Sequence, residues 1–262
     1  MTQAGKTIVR ISLFWSVFFL ILKGMNSISS AVPTTMKFLF GASVLILTSM
    51  LVILYFLKTE HRHLSSIGLK WQSGTARHLV LGTLLGMAVV GFMLFTLALL
   101  SPIKVELVAN PDFWNAIGWA TVVLIVLALM EEIVFRSYPF FRLAESVGIR
   151  TSIYLSSIVF AFYHGLDPAN LLGPGVWGLY FGLAAIKTKG IALPLGLHFG
   201  LNLMQCLFGM KPHHASSIWT IVPDGTTRFF AAETVGLSLQ IILLIVGVIL
   251  IELHVRQKDG AI

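Results

Sequence analysis

Glu131, Glu132 and Arg136 lie at the end of a long charge-free run, His164 closes a second apolar run, and His198 with Asn202 lies inside a third. Ionisable groups in such runs are costly to bury and commonly functional. One carboxylate and two imidazoles in an apolar hollow can activate a water molecule. Glu131 suits a general base, and His164 can share that water or protonate a leaving amine. His198 and Asn202 can donate hydrogen bonds to an oxyanion. The same Glu131, His164 and His198 could instead hold Zn2+ with a fourth position open for water. Residue type alone leaves both routes open.

Spacing sorts these residues by face. Glu132 and Arg136 are four apart, so on a helix they share a face and can neutralise each other. Glu131 points about 100° away and is left for another task. His198 and Asn202 repeat the interval of four, as do Phe160 and His164. Phe160 therefore supports His164, and Glu132 with Arg136 orients the helix that carries Glu131.

The elements that must position these groups are membrane helices. The chain has 262 residues, 56% apolar and only 11% charged, against about 25% charged in a soluble domain. Runs at 38–57 and 79–100 are long enough for a hydrocarbon core of roughly 30 Å. Runs at 235–251 and 113–130 are close to that length, and the latter regains apolar character as far as Phe141. Shorter runs at 11–22, 151–163, 171–186 and 190–210 complete eight candidates. Irregular backbone cannot face lipid, so the expected fold is all-α, a polytopic transmembrane helical bundle of about eight spans. The runs do not alternate, which excludes a β-barrel.

The net charge of +7 comes mostly from residues between the runs, with no basic stripe interleaved with aromatics. That excludes nucleic acid as a partner and fits the lipid bilayer. With the amino terminus inside, 13 of the 18 Lys and Arg fall on the inner side, which places both termini in the cytoplasm. At 1.5 Å per residue, Glu131, His164 and His198 lie roughly 14, 20 and 12 Å from the inner face. Three separate helices thus bring their polar groups to similar depth. A rival reading of the amino terminus, from Lys6 and Arg10 through Leu22 to Ser29, Ser30 and Ala31, is a secretory signal; an uncleaved first helix is preferred. The single cysteine, Cys206, is expected to be a small buried residue.

Glu131-Glu132-x-x-x-Arg136, Phe160-x-x-x-His164 and His198-x-x-x-Asn202, in this order on separate apolar helices, resemble the three motifs of the CPBP intramembrane proteases. These are also called the Abi, or CAAX-protease-and-bacteriocin-processing, family. Ser156 and Ser157 ahead of Phe160 add to the likeness. The resemblance implies a helical bundle whose cavity opens to membrane and cytosol. It implies hydrolysis by water activated by Glu131 and His164, with His198 and Asn202 at the oxyanion. The substrate would be a membrane peptide or protein, in the cytoplasmic membrane of a bacterium. Eukaryotic members cleave prenylated CAAX ends, and bacterial members are linked to bacteriocin maturation and immunity. Both metalloprotease and metal-free mechanisms have been assigned to the family. The chain then divides into 1–112, amino-terminal helices with a basic loop; 113–210, the catalytic core; and 211–262, an outer loop and last helix.

Other polar residues fit plainer roles. His61 and His63 belong to an exposed basic loop, and His213 and His214 to an outer connection. Gly173, Gly175, Gly178 and Gly182 read as close-packing positions, since no strand precedes them to make a phosphate loop. Two further functions use the same residues: a transporter with a proton relay, which predicts two related halves that the sequence lacks, and a non-catalytic immunity or scaffold protein.

Overall fold

The computed structural model describes residues 2–28, 36–211, 215–226 and 229–259. Ser29, Ser30, Ala31, His213, His214 and Arg228 lie outside them. The chain is an all-α bundle with one small β-ladder. In order, the elements are α1 (Gln3–Ile28), α2 (Lys37–Thr59), α3 (Thr75–Leu100), β1 (Ile103–Leu107), α4 (Ala120–Arg136), α5 (Tyr138–Val147) and α6 (Ile149–His164), then the single turn α7 (Pro168–Asn170), α8 (Val176–Thr188), α9 (Ala192–Leu207), β2 (Trp219–Pro223) and α10 (Ala232–Asp259). Each of the eight apolar runs seen in the sequence falls on one of the longer helices.

Among the described residues, six helical stretches are long and apolar enough to cross a membrane, and α9 is a shorter apolar helix. The chain is an integral membrane protein. α6 and α9 have 16 residues each, about 24 Å at the helical rise. α6 packs on α5 and α8 and leaves Leu155, Ile158 and Phe162 exposed, while α9 packs on α3, α4 and α8. Leu81, Leu84, Phe92 and Phe95 on α3, with Ile242 and Ile245 on α10, are exposed. Apolar side chains turned outward along whole helices are the inverse of a water-soluble surface, and lipid is their solvent.

The fourth run does not continue unbroken to Phe141. α4 ends at Ser137, whose φ and ψ of −101° and −112° are not helical. Pro139, at the second residue of α5, lacks the N–H that would continue the ladder. Ser137 Oγ donates to the Ile133 carbonyl. The resulting bend sets α5 beneath α2 and α1.

The closest helix contact joins α3 and α9, which run parallel. A Cβ at Gly82 would stand 2.3 Å from the Leu193 carbonyl oxygen, and one at Gly86 2.3 Å from that of Leu197. In return, a Cβ at Gly196 would stand 2.1 Å from the Leu79 oxygen, and one at Gly200 2.2 Å from that of Thr83. Two Gly-x-x-x-Gly faces are thus pressed backbone to backbone. This contact fixes α9, whose other side carries His198 and Asn202. Gly175, just before α8, and Gly178 and Gly182 on it pack against Ala161, Ser157 and Ile153 of α6 as expected, while Gly173 meets nothing within 4 Å.

The two ends of the bundle are distinct. At one end, β1 pairs antiparallel with β2, Ile103 opposite Pro223, joining the α3–α4 and α9–α10 connections. At the other end, Glu60 pairs with Arg10 at 2.7 Å and Arg142 at 2.9 Å, Arg62 pairs with Glu145 at 2.9 Å, and the Ile191 N–H donates to the Gly68 carbonyl. Cys206 is buried. His61 and His63 are exposed in the α2–α3 loop.

Candidate active site

Glu131 and Glu132 lie in the last turns of α4, and both are buried. Their different directions follow from adjacent positions on a helix. Glu131 faces a hollow shared with α6 and α9. Glu132 faces α9 and α8.

His198 joins the two. Its Nδ1–H donates to Glu132 Oε1 at 2.9 Å, and its Nε2 lies 3.5 Å from Glu131 Oε2. The ring stacks on Phe181 at 4.6 Å between centroids and 19° between planes. Phe160 meets it edge-on at 5.9 Å. The imidazole is therefore held by the stacked Phe181 ring on one face, by Phe160 beside it, and by a hydrogen bond at one nitrogen.

His164 is the last residue of α6. Its Nδ1–H donates to the Phe160 carbonyl at 2.9 Å, which can only accept. The neutral ring thus leaves Nε2 without a proton, 3.9 Å from Glu131 Oε2. Gly165 follows with φ +138°, where a Cβ would strike the Asn170 side chain at 2.5 Å. Glycine lets the chain turn away immediately after the histidine. Both histidines thus aim Nε2 at the same Glu131 oxygen.

Arg136 is fully buried 3.8 Å from Glu132 Oε1, and its guanidinium lies 4.0 Å over the Phe160 ring. Removing a cation from water is offset here by one carboxylate and an aromatic face. Gly178 makes room for it, since a Cβ there would stand 3.1 Å from Arg136 Nη2. Glu132 is therefore more than the partner of Arg136 read from their spacing; it also holds His198. No local spacing signals that second contact, because 66 residues separate the two.

Asn202 lies one turn beyond His198. It lines two adjoining cavities, about 370 Å3 and about 280 Å3, each also lined by His164, His198 and Lys211. Glu131 opens into the larger one. Lys211 was not among the residues singled out from sequence, because it follows α9 in a connection and stands in no motif. Burial lowers the pKa of its ammonium, and the nearby Glu131 opposes that shift. Among the described residues, no group of three or more His, Cys, Asp or Glu is arranged to hold a metal ion. The set Glu131, His164 and His198 does not form such a group.

Residues 113–204 match the family model of the type II CAAX prenyl endopeptidase Rce1-like proteins. This segment is Rce1-like. The match agrees with the likeness to the CPBP proteases read from the three motifs, and the Rce1-like segment holds every residue of those motifs. No curated protein and no solved structure matches the chain. The Rce1-like segment runs through α4 to most of α9, the helices that meet around Glu131.

Proposed function

We propose that the chain is an intramembrane endopeptidase that hydrolyses a peptide bond in a membrane-associated peptide or protein. The observation that carries this reading is the approach of two imidazole Nε2 atoms to one oxygen of a buried glutamate. A separation of 3.9 Å is too long for a hydrogen bond and suits a bridging water.

In this reading Glu131 takes a proton from that water while His164 Nε2 accepts a hydrogen bond from its other proton and fixes its direction. The oxygen attacks the carbonyl carbon, and the C=O electrons move to the oxyanion. His198 Nε2 and the Asn202 amide hold the oxyanion. Glu131 then delivers its proton to the amine nitrogen as the C–N bond breaks. The new carboxylic acid loses its proton through the Glu131–His164 pair to the departing amine, which leaves as an ammonium, and Glu131 is again a carboxylate. Glu132, Arg136 and Phe160 are positioning residues, acting through His198 and His164. The cytoplasmic termini belong to the same proposal, from the distribution of Lys and Arg.

The test is a comparison of peptide ends in membranes of cells expressing the wild-type chain or its Glu131→Ala variant. New carboxyl termini confined to the wild type are expected. Identical ends in both membranes would overturn the reading.

A further inference from the structure

Gln240 stands in the first third of α10, and the helix that follows it is apolar from Ile241 to Ile251. An amide among hydrocarbon is costly unless it finds partners. Its Oε1 is buried with no hydrogen-bond partner among the described residues. An amide that served only as glue between helices would have such a partner. The side chain instead borders the smaller cavity, together with His164, His198, Asn202 and Gln205. That volume of about 280 Å3 exceeds the roughly 30 Å3 share of one water several-fold, enough for a short stretch of chain.

Asn202 and Gln205 follow His198 at four and seven residues along α9. The three form one stripe, about 10.5 Å long at the helical rise. An extended chain covers that length in about three residues. On the endopeptidase reading above, the reacting carbonyl lies at the His198 and Asn202 end of the stripe. Gln205 and Gln240 then face chain within about three residues of the cleaved bond.

We infer that Gln240, together with Gln205, grips the main chain of an extended substrate segment beside the bond that Glu131 attacks. The inference rests on the endopeptidase reading. An amide side chain offers both a donor and an acceptor, the complement of a peptide unit. A helical substrate has those groups paired within itself, so the segment meets this stripe unwound. Gln240 is a positioning residue, remote from the reacting atoms. It lies outside residues 113–204 of the Rce1-like match, so none of the three motifs announces it.

The experiment measures binding by the purified full-length Glu131→Gln chain in detergent, which leaves the probe uncut. The probe is a fluorescent pool of decapeptides of Ala, Val, Leu and Phe in mixed order with a polar tail. A second pool carries N-methyl groups throughout. Partition into micelles is common to all variants and cancels in the comparison. Adding Gln240→Met is expected to weaken binding of the first pool about ten-fold, near the upper value for one neutral hydrogen bond, with Gln240→Asn intermediate. The N-methylated pool cannot donate from its main chain; it is expected to bind weakly and to lose nothing further with Gln240→Met. Gln240→Leu replaces Gln240→Met if the latter melts below its parent. Equal affinity with and without Gln240, or a folded parent that binds neither pool, overturns the proposal. An equal loss for both pools overturns the main-chain contact and leaves Gln240 a structural residue. Binding needs no catalysis, so loss of the endopeptidase reading would register separately, in the peptide ends of the Glu131→Ala membranes.

Discussion

His198 Nδ1 lies 2.9 Å from Glu132 Oε1, across the contact between α9 and α4. The hydrogen bond fixes the ring so that its other nitrogen faces Glu131. A carboxylate in the family-like pair is thereby given a positioning task, while its neighbour is left to meet the water.

Glu132→Gln tests that division. The amide can present its NH2 to Nδ1 and reverse the hydrogen bond, or present its oxygen without a charge. Either change alters the contact that fixes the ring. We expect kcat to fall on the order of 10²-fold, similar to loss of one oxyanion donor, with KM little changed. A fall in KM-dependent terms alone would place Glu132 in substrate binding instead.

His164→Ala removes the group that directs the water but leaves Glu131 in place. The expected loss of kcat is about 10²- to 10⁴-fold, with the melting temperature near wild type because the ring is partly exposed. Unchanged turnover would exclude His164 from the water's path.

Arg136→Met leaves the buried Glu132 carboxylate without its guanidinium partner. Breaking a buried pair from one side costs about 3–5 kcal/mol, whereas replacing both partners by apolar groups is often neutral. Thermal unfolding in detergent should therefore show Arg136→Met destabilised and the Arg136→Met/Glu132→Leu double variant recovered. Activity should not recover, since His198 then lacks its acceptor. Recovery of both would reduce Glu132 to a structural counter-ion.

Gly86→Leu and Gly200→Leu test the scaffold. Each side chain meets a backbone carbonyl near 2.2 Å or 2.3 Å, and backbone cannot move aside as a side-chain tip can. Overpacking costs typically 1–3 kcal/mol, with more expected here. The folded fraction after detergent extraction should drop. Gly173→Leu, where space is open, should extract like wild type.

Much of this was legible in the sequence because hydrocarbon solvent imposes simple rules. The eight apolar runs found their helices, and the three motifs met because buried charges need partners. The Glu132–His198 bond was not legible, since nothing local links residues on different helices. The Gly-x-x-x-Gly pairs at Gly82, Gly86, Gly196 and Gly200 were not read from the sequence, because spacing alone does not name a partner helix. The break at Ser137 had a written signal in Pro139, outweighed by the apolar character on either side. Lys211 carried no signal, because its place at the cavity depends on how the chain leaves α9.

The most direct measurement is cleavage by purified Glu131→Gln reconstituted in liposomes with a membrane peptide cut by the wild type. Glutamine keeps the size of the side chain and cannot accept the water's proton. Cleavage should be lost while the variant extracts and melts like wild type. Cleavage at the wild-type rate by that folded variant would contradict the account.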